Sequence, residues 1–203
     1  MKRILASLVL LLSSCAGVSN YPINLSYLPS KQYAKTDGKV ITVALLNDKR
    51  AVADKRAIGT RDNEIAFIAL IDGPSVALAK AFKTYLANRG YTVNRLDEVW
   101  DGTVQTIKPG WGDLVIGGSL EDFSITARSI SLVKTEYICS IKITLVFADV
   151  KSKEIKHQER FEVSTSYVTV SFSRDKAEEL INSALSDTVE RALAGTGKYL
   201  SKQ

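Results

Sequence analysis

Apolar residues along this chain recur in two periods, and the change from one to the other marks out its elements. Tyr21, Ile23, Leu25 and Tyr27 fall on every second position, which predicts a half-buried strand closed by Pro29. Residues 31–38 are polar and turn-like. Positions 40–46 are apolar on both faces, the pattern of a central strand. A second apolar run at 65–71 predicts another strand, and the charged stretch 48–64 between the two runs is expected to be a long loop. Asp72-Gly73-Pro74 opens a helix, with proline suited to the first turn. Leu78, Phe82, Tyr85 and Leu86 share one helical face, and Arg89-Gly90 ends it with glycine in the left-handed position. Residues 91–95 read as a strand. Val99, Val104 and Ile107 give 96–108 the spacing of a weak helix, and Pro109-Gly110-Trp111-Gly112 is a turn.

The second half is more regular. Residues 113–127 predict a strand interrupted by Gly117-Gly118, which implies a bulge or a close backbone contact. Tyr137, Cys139, Ile141, Ile143, Leu145 and Phe147 alternate with polar residues. Lys151-Ser152-Lys153 turns the chain, and 154–170 returns with Phe161 and Val163 on its apolar side, an antiparallel hairpin. Ala177, Leu180, Ile181, Ala184, Leu185, Val189 and Ala192 form an amphipathic helix that Gly195 ends. This order predicts one α+β (or α/β) domain over 21–197. It would have a mixed sheet, two main helices packed on one face and a long antiparallel C-terminal hairpin, with a tail at 198–203.

The first residues read as an address. Lys2 and Arg3 precede an apolar stretch at 4–12, far shorter than the ~20 residues that span a bilayer. Leu12-Ser13-Ser14-Cys15 then places small residues directly before a cysteine, which resembles the bacterial lipobox. That resemblance implies removal of residues 1–14, a diacylglyceryl thioether and acyl group on Cys15, and a tether at 15–20. Ala16 rather than aspartate after the cysteine implies outer-membrane sorting by analogy with enterobacterial lipoproteins. No other cofactor is expected.

Composition narrows the remaining chemistry. The 203 residues carry 27 basic and 22 acidic side chains, a net charge of +5. Loss of Lys2 and Arg3 leaves 25 against 22, or +3, which gives no case for nucleic-acid binding. A single histidine and two cysteines argue against a His/Cys metal site. With Cys15 lipidated, Cys139 is alone and expected to be a buried, inert thiol. His157 lies in a polar strand start and reads as a surface histidine rather than a catalytic base. Asp97, Glu98 and Asp101 lack the spacing of a calcium loop and read as solvated charge. Gly110-Trp111-Gly112 begins a dinucleotide-like pattern, but Val115 stands at the final glycine position and a strand follows, so that site is rejected. Trp100 and Trp111 are expected to pack in the core or turn.

The loop at 48–64 carries Asp48, Arg50, Gly59 and Arg61 as candidate partner-binding residues. Two arginines suit bidentate contacts, and Gly59 permits a sharp turn between them. The competing reading pairs Asp48 with Arg50 locally, to pin the loop. Asp48-Lys49-Arg50 after a central strand, Ile58-Gly59, Leu86-Ala87-Asn88-Arg89-Gly90-Tyr91 and the 113–118 strand together resemble the YajG-like family of bacterial lipoproteins. The layout is also similar to the N-terminal domain of TolB-like proteins and to auxiliary lipoproteins of envelope ABC transporters. The resemblance implies a non-enzymatic, lipid-anchored outer-membrane protein on the periplasmic side, binding an envelope protein or the cell-wall layer. The alternative is an auxiliary lipid-binding component of a transport system, which requires an apolar cavity of several hundred Å³ between helices and sheet.

Overall fold

The computed structural model describes residues 20–29 and 38–194. Cys15, the segment before it, most of 31–38, Gly195 and the tail lie outside the described residues. Within them the chain runs β1 (Asn20–Ile23), β2 (Val40–Leu45), β3 (Asn47–Asp48), β4 (Ala57–Arg61), β5 (Ile65–Ala69), α1 (Pro74–Asn88), β6 (Thr92–Val99), a 3-10 turn (Val104–Thr106), β7 (Leu114–Ser131), β8 (Lys134–Asp149), β9 (Glu154–Thr169) and α2 (Arg174–Ala194).

The long strand β7 organises the sheet. One of its edges pairs antiparallel with β8, and β8 pairs antiparallel with β9, giving a three-stranded meander. Its other edge is shared in succession by three parallel partners: β2 at 114–116, β3 at 119–120 and β4 at 125–127. The sheet therefore forks along this edge. One branch continues from β2 to β6, the other from β4 through β5 to β1. This is the mixed sheet that the alternation patterns predict, and the described residues form a single domain around it.

Both helices pack on one face. Leu78, Phe82, Tyr85 and Leu86 of α1 are buried with Ile181, Leu185 and Val189 of α2 over Ile41, Ile116, Phe123, Ile141 and Ile143 of the sheet. Pro74 occupies the first turn of α1 after Gly73. The far end closes as a Schellman motif: Gly90 (φ 85°) and Tyr91 donate their N–H groups to the carbonyls of Ala87 and Leu86. On the opposite face, residues 100–112 form a strap. Its Trp100 and Ile107 are buried on Ala44, Val115, Val146 and Ala148. A Cβ on Gly117 would sit 2.5 Å from the Trp100 carbonyl oxygen and 2.7 Å from its ring, so glycine is needed for this approach.

Three expected elements are different. The stretch at 48–64 is not one loop: it starts on the last residue of β3 and contains β4, and Asp62 and Asn63, both at positive φ, turn β4 into β5. The strand after α1 runs on to Val99, and only three residues of the expected weak helix turn as 3-10. The alternation at 21–27 is real, but β1 stops at Ile23. Beyond it the extended chain lies along α2. There the N–H groups of Asn24, Ser26 and Leu28 donate to Glu178, Asn182 and Ser186 at 2.9, 2.9 and 3.0 Å. Two extended residues rise about 6.6 Å and four helical residues about 6 Å, so the two spacings keep step. Asn182 completes the pairing by donating its side-chain amide to the Asn24 carbonyl at 2.9 Å.

Candidate functional site

Arg50 sits in the crotch of the forked sheet. It follows β3, which ends its pairing at Leu120, and precedes β4, which begins pairing near Ile125. The carbonyl of Phe123 falls in this gap, and the Arg50 guanidinium fills it. Nη1 donates to Ala57 at 2.8 Å and Phe123 at 3.4 Å, and Nη2 donates to Lys55 at 2.6 Å. Nη2 also meets Asp48 Oδ2 at 2.7 Å, and Nε meets Asp48 Oδ1 at 3.0 Å. All five donors of the guanidinium thus have acceptors. The residue is 6% exposed. Burial alone would push the Asp48 carboxyl up, but hydrogen bonds and charge from Arg50, with Lys55 nearby, hold it below its ordinary value. Lys55 adds hydrogen bonds to the carbonyls of Asp48 and Arg50.

The other two candidates are also placed by packing. Gly59, at φ 138°, lets β4 lie against β7; a Cβ there would overlap the Ile125 carbonyl oxygen. Arg61 lies with its guanidinium carbon 4.1 Å above the Phe172 ring and pairs with Asp62 at 3.4 Å. Phe172 in turn stacks with Tyr21, Phe67 and Tyr137. The four residues therefore do not converge on one outward site. Asp48 and Arg50 form the local pair, Gly59 stands in β4, and Arg61 caps an aromatic stack.

The remaining chemical candidates are dispersed. His157 lies 2.9 Å from Glu159 on β9, its ring beside Phe147. Glu98 meets Lys108, Asp101 accepts the Thr103 N–H, and Asp97 borders a groove. Among the described residues no three His, Cys, Asp or Glu side chains are placed to hold a metal ion. Cys139 is buried, and burial pushes its thiol up to about 12. Trp100 is buried edge-on to Trp111, ring centroids 6.5 Å apart, and donates its indole N–H to Thr103.

One feature was not legible in the sequence. An open groove of about 480 Å³ runs between α1 and the β2–β6 branch. Val43, Leu45, Val76, Ala79 and Leu96 supply its apolar lining, and Lys80, Lys83 and Asp97 its charged residues. Helix α1 packs against β2, β6 and α2, and the groove opens along its β6 side. No helix among the described residues is long and apolar enough to cross a membrane.

No family model matches the sequence, and no curated protein matches it either. The likeness to the YajG-like family thus rests on its short motifs. Solved structures do match. Protein XCC0632 from Xanthomonas campestris, assigned to DUF330, superposes at a TM-score of 0.60 with 11% identity, covering 88% of this chain and 94% of that one. The fold is shared. Lipoprotein GNA1162 from Neisseria meningitidis matches at 0.40 with 8% identity, over 73% of this chain and 96% of that one. The LpoB C-terminal domain from Salmonella enterica matches at 0.35 with 10% identity, over 66% and 87%. The structural neighbours thus include a bacterial lipoprotein.

Proposed function

We propose that this chain is a non-enzymatic lipoprotein of the outer membrane, facing the periplasm and binding another envelope protein or the cell-wall layer. The observation that carries this reading is the register of Lys2-Arg3, the short apolar stretch and Leu12-Ser13-Ser14-Cys15. A thiol is required there, because the diacylglyceryl group is held as a thioether. Several acyl chains suffice for stable anchoring. The fold itself occupies two reactive groups of the interior: Arg50 is saturated by hydrogen bonds and its ion pair, and burial raises the Cys139 thiol. The test is Cys15→Ser followed by fractionation. The expected result is transfer of the protein from the outer-membrane fraction to the soluble periplasm. Retention in the membrane after high-salt washing refutes the lipid as sole anchor, and crosslinking in intact cells identifies the partner.

A second reading has an observation of its own. The α1–β6 groove has the size for a single acyl chain along its apolar residues, with Lys83 in its lining to meet an anionic head, while Lys80 is paired with Asp72 and Asp97 also lines it. Native mass spectrometry of the purified protein tests it. Co-purified phospholipid lost on Ala79→Trp supports an auxiliary lipid-binding role, and lipid-free protein refutes it.

A further inference from the structure

We infer that the β7–β8 hairpin tip, with the adjoining end of β9, is a second membrane contact that seats on anionic phospholipid headgroups. The inference rests on the proposed anchor at Cys15 and adds an orientation to it.

The register of the sheet fixes which end faces the tether. Asn20 pairs with Ala66, Ala66 with Thr60, and Thr60 with Thr126. The point where the chain enters the fold is therefore level with Thr126 of β7. From there β7 runs on, in the direction away from the body of the fold, to the turn at Leu132. At about 3.4 Å per residue those six residues project roughly 20 Å. From Cys15 to Asn20 the chain has five residues, which at full extension reach about 17–18 Å. The two lengths nearly match. With the lipid of Cys15 in the bilayer and the strands upright, the hairpin tip lies at the headgroup level.

The chemistry of the tip suits that position. Leu132 is fully exposed, Val133 is 61% and Val170 is 75% exposed, and Ile130, Tyr167 and Val168 are each nearly half exposed. The two segments that build this end, 128–135 and 167–174, contain Arg128, Lys134 and Arg174 and no acidic residue. Their neighbours Glu136 and Asp175 pair with Arg128 and Arg174, and Asp62 is held by Ser129. Lys134 stands exposed beside the apolar turn. Exposed apolar side chains with an exposed lysine beside them are the pattern of a surface that enters the interface between headgroups and acyl chains. The opposite hairpin turn, between β8 and β9, is Val150-Lys151-Ser152-Lys153, with Val150 buried, and has no such exposed apolar cluster.

The test uses the full lipidated protein in vesicles of phosphatidylethanolamine and phosphatidylglycerol. Leu132→Cys and, as the control on the far turn, Ser152→Cys each receive an environment-sensitive dye. Cys139 is buried and does not compete. Nitroxide-bearing phospholipids are expected to quench the dye at 132 severalfold more than at 152, with a blue-shifted emission at 132 only. Equal, water-like signals at both positions in protein that carries metabolic palmitate overturn this inference and leave the anchor standing. Absence of palmitate overturns both, since the reach is measured from the lipid. In cells, crosslinks from position 132 to a protein instead of lipid assign the tip to a protein partner and overturn the lipid contact.

Discussion

Replacing Arg50 by alanine removes the staple at the fork of the sheet. The change leaves the Asp48 carboxylate, whose side chain is 13% exposed, without its principal cation, and leaves the carbonyls of Lys55, Ala57 and Phe123 short of a donor. Breaking a buried pair by removing one partner costs about 3–5 kcal/mol. Lys55 remains 3.7 Å from the Asp48 carboxylate, which places the expected loss near the lower end, about 3 kcal/mol. For a domain of this size that lowers Tm by roughly 6–12 °C. The loss also has a pH signature. In the native protein the Asp48 carboxyl is held below its ordinary 3.8, so its contribution is complete above that value and fades as pH falls through the lower folded value. Arg50→Ala removes the guanidinium's hydrogen bonds and charge from the causes of that depression and leaves only the backbone N–H of residue 50 and Lys55. The gap in Tm between the two proteins should therefore be wide at pH 7 and narrow below 3.8. Thermal unfolding followed by circular dichroism at pH 7, 5 and 3 measures it. A Tm at pH 7 within about 2 °C of the wild type, or a gap that does not change with pH, refutes the reasoning. Unchanged stability with lost envelope crosslinks would instead make Arg50 a contact for a partner.

Other expectations are as direct. Gly59→Ala drives a methyl group into the Ile125 carbonyl and should part β4 from β7, costing more than the ~1–3 kcal/mol of ordinary overpacking; a wild-type Tm contradicts it. Asn182→Ala removes the acceptor of the Ser26 N–H and the donor to Asn24, so the Ser26 amide should exchange with deuterium much faster while the Ile141 amide in β8 keeps its protection. Cys139 should react with a polar maleimide only after denaturation, because it is buried and its thiol is pushed up to about 12; rapid labelling of native protein refutes this.

The elements legible in the sequence are those whose partners are implied by their own pattern. Gly73-Pro74 and Arg89-Gly90 bound α1 through local backbone chemistry, and the alternation from Tyr137 to Phe147 declares a strand with one face buried. What escaped the pattern depends on distant residues. Strand β4 reads as polar because Thr60 and Arg61 face half-buried surroundings, and it is held by β5 and β7 on either side. Its one local signal is Asp62-Asn63, a pair tolerant of positive φ. Asp97 and Glu98 disguise the end of β6, an edge strand on which charge is common. Leu25 and Tyr27 keep a strand period, yet their segment is bonded by the side chains of α2 rather than by another strand. At the candidate site the spacing Asp48-x-Arg50 signals a local pair. Its burial is invisible in the sequence, because it arises only where β3 ends and β4 has not yet begun.

The central claim is that Cys15 begins the mature chain and carries its lipid. Intact-mass and N-terminal peptide spectrometry of protein purified from the envelope of a diderm bacterium tests it most directly. The account predicts a first residue of Cys15 bearing diacylglyceryl and acyl groups. A chain that retains residues 1–14, or one cleaved elsewhere with Cys15 as a free thiol, contradicts it.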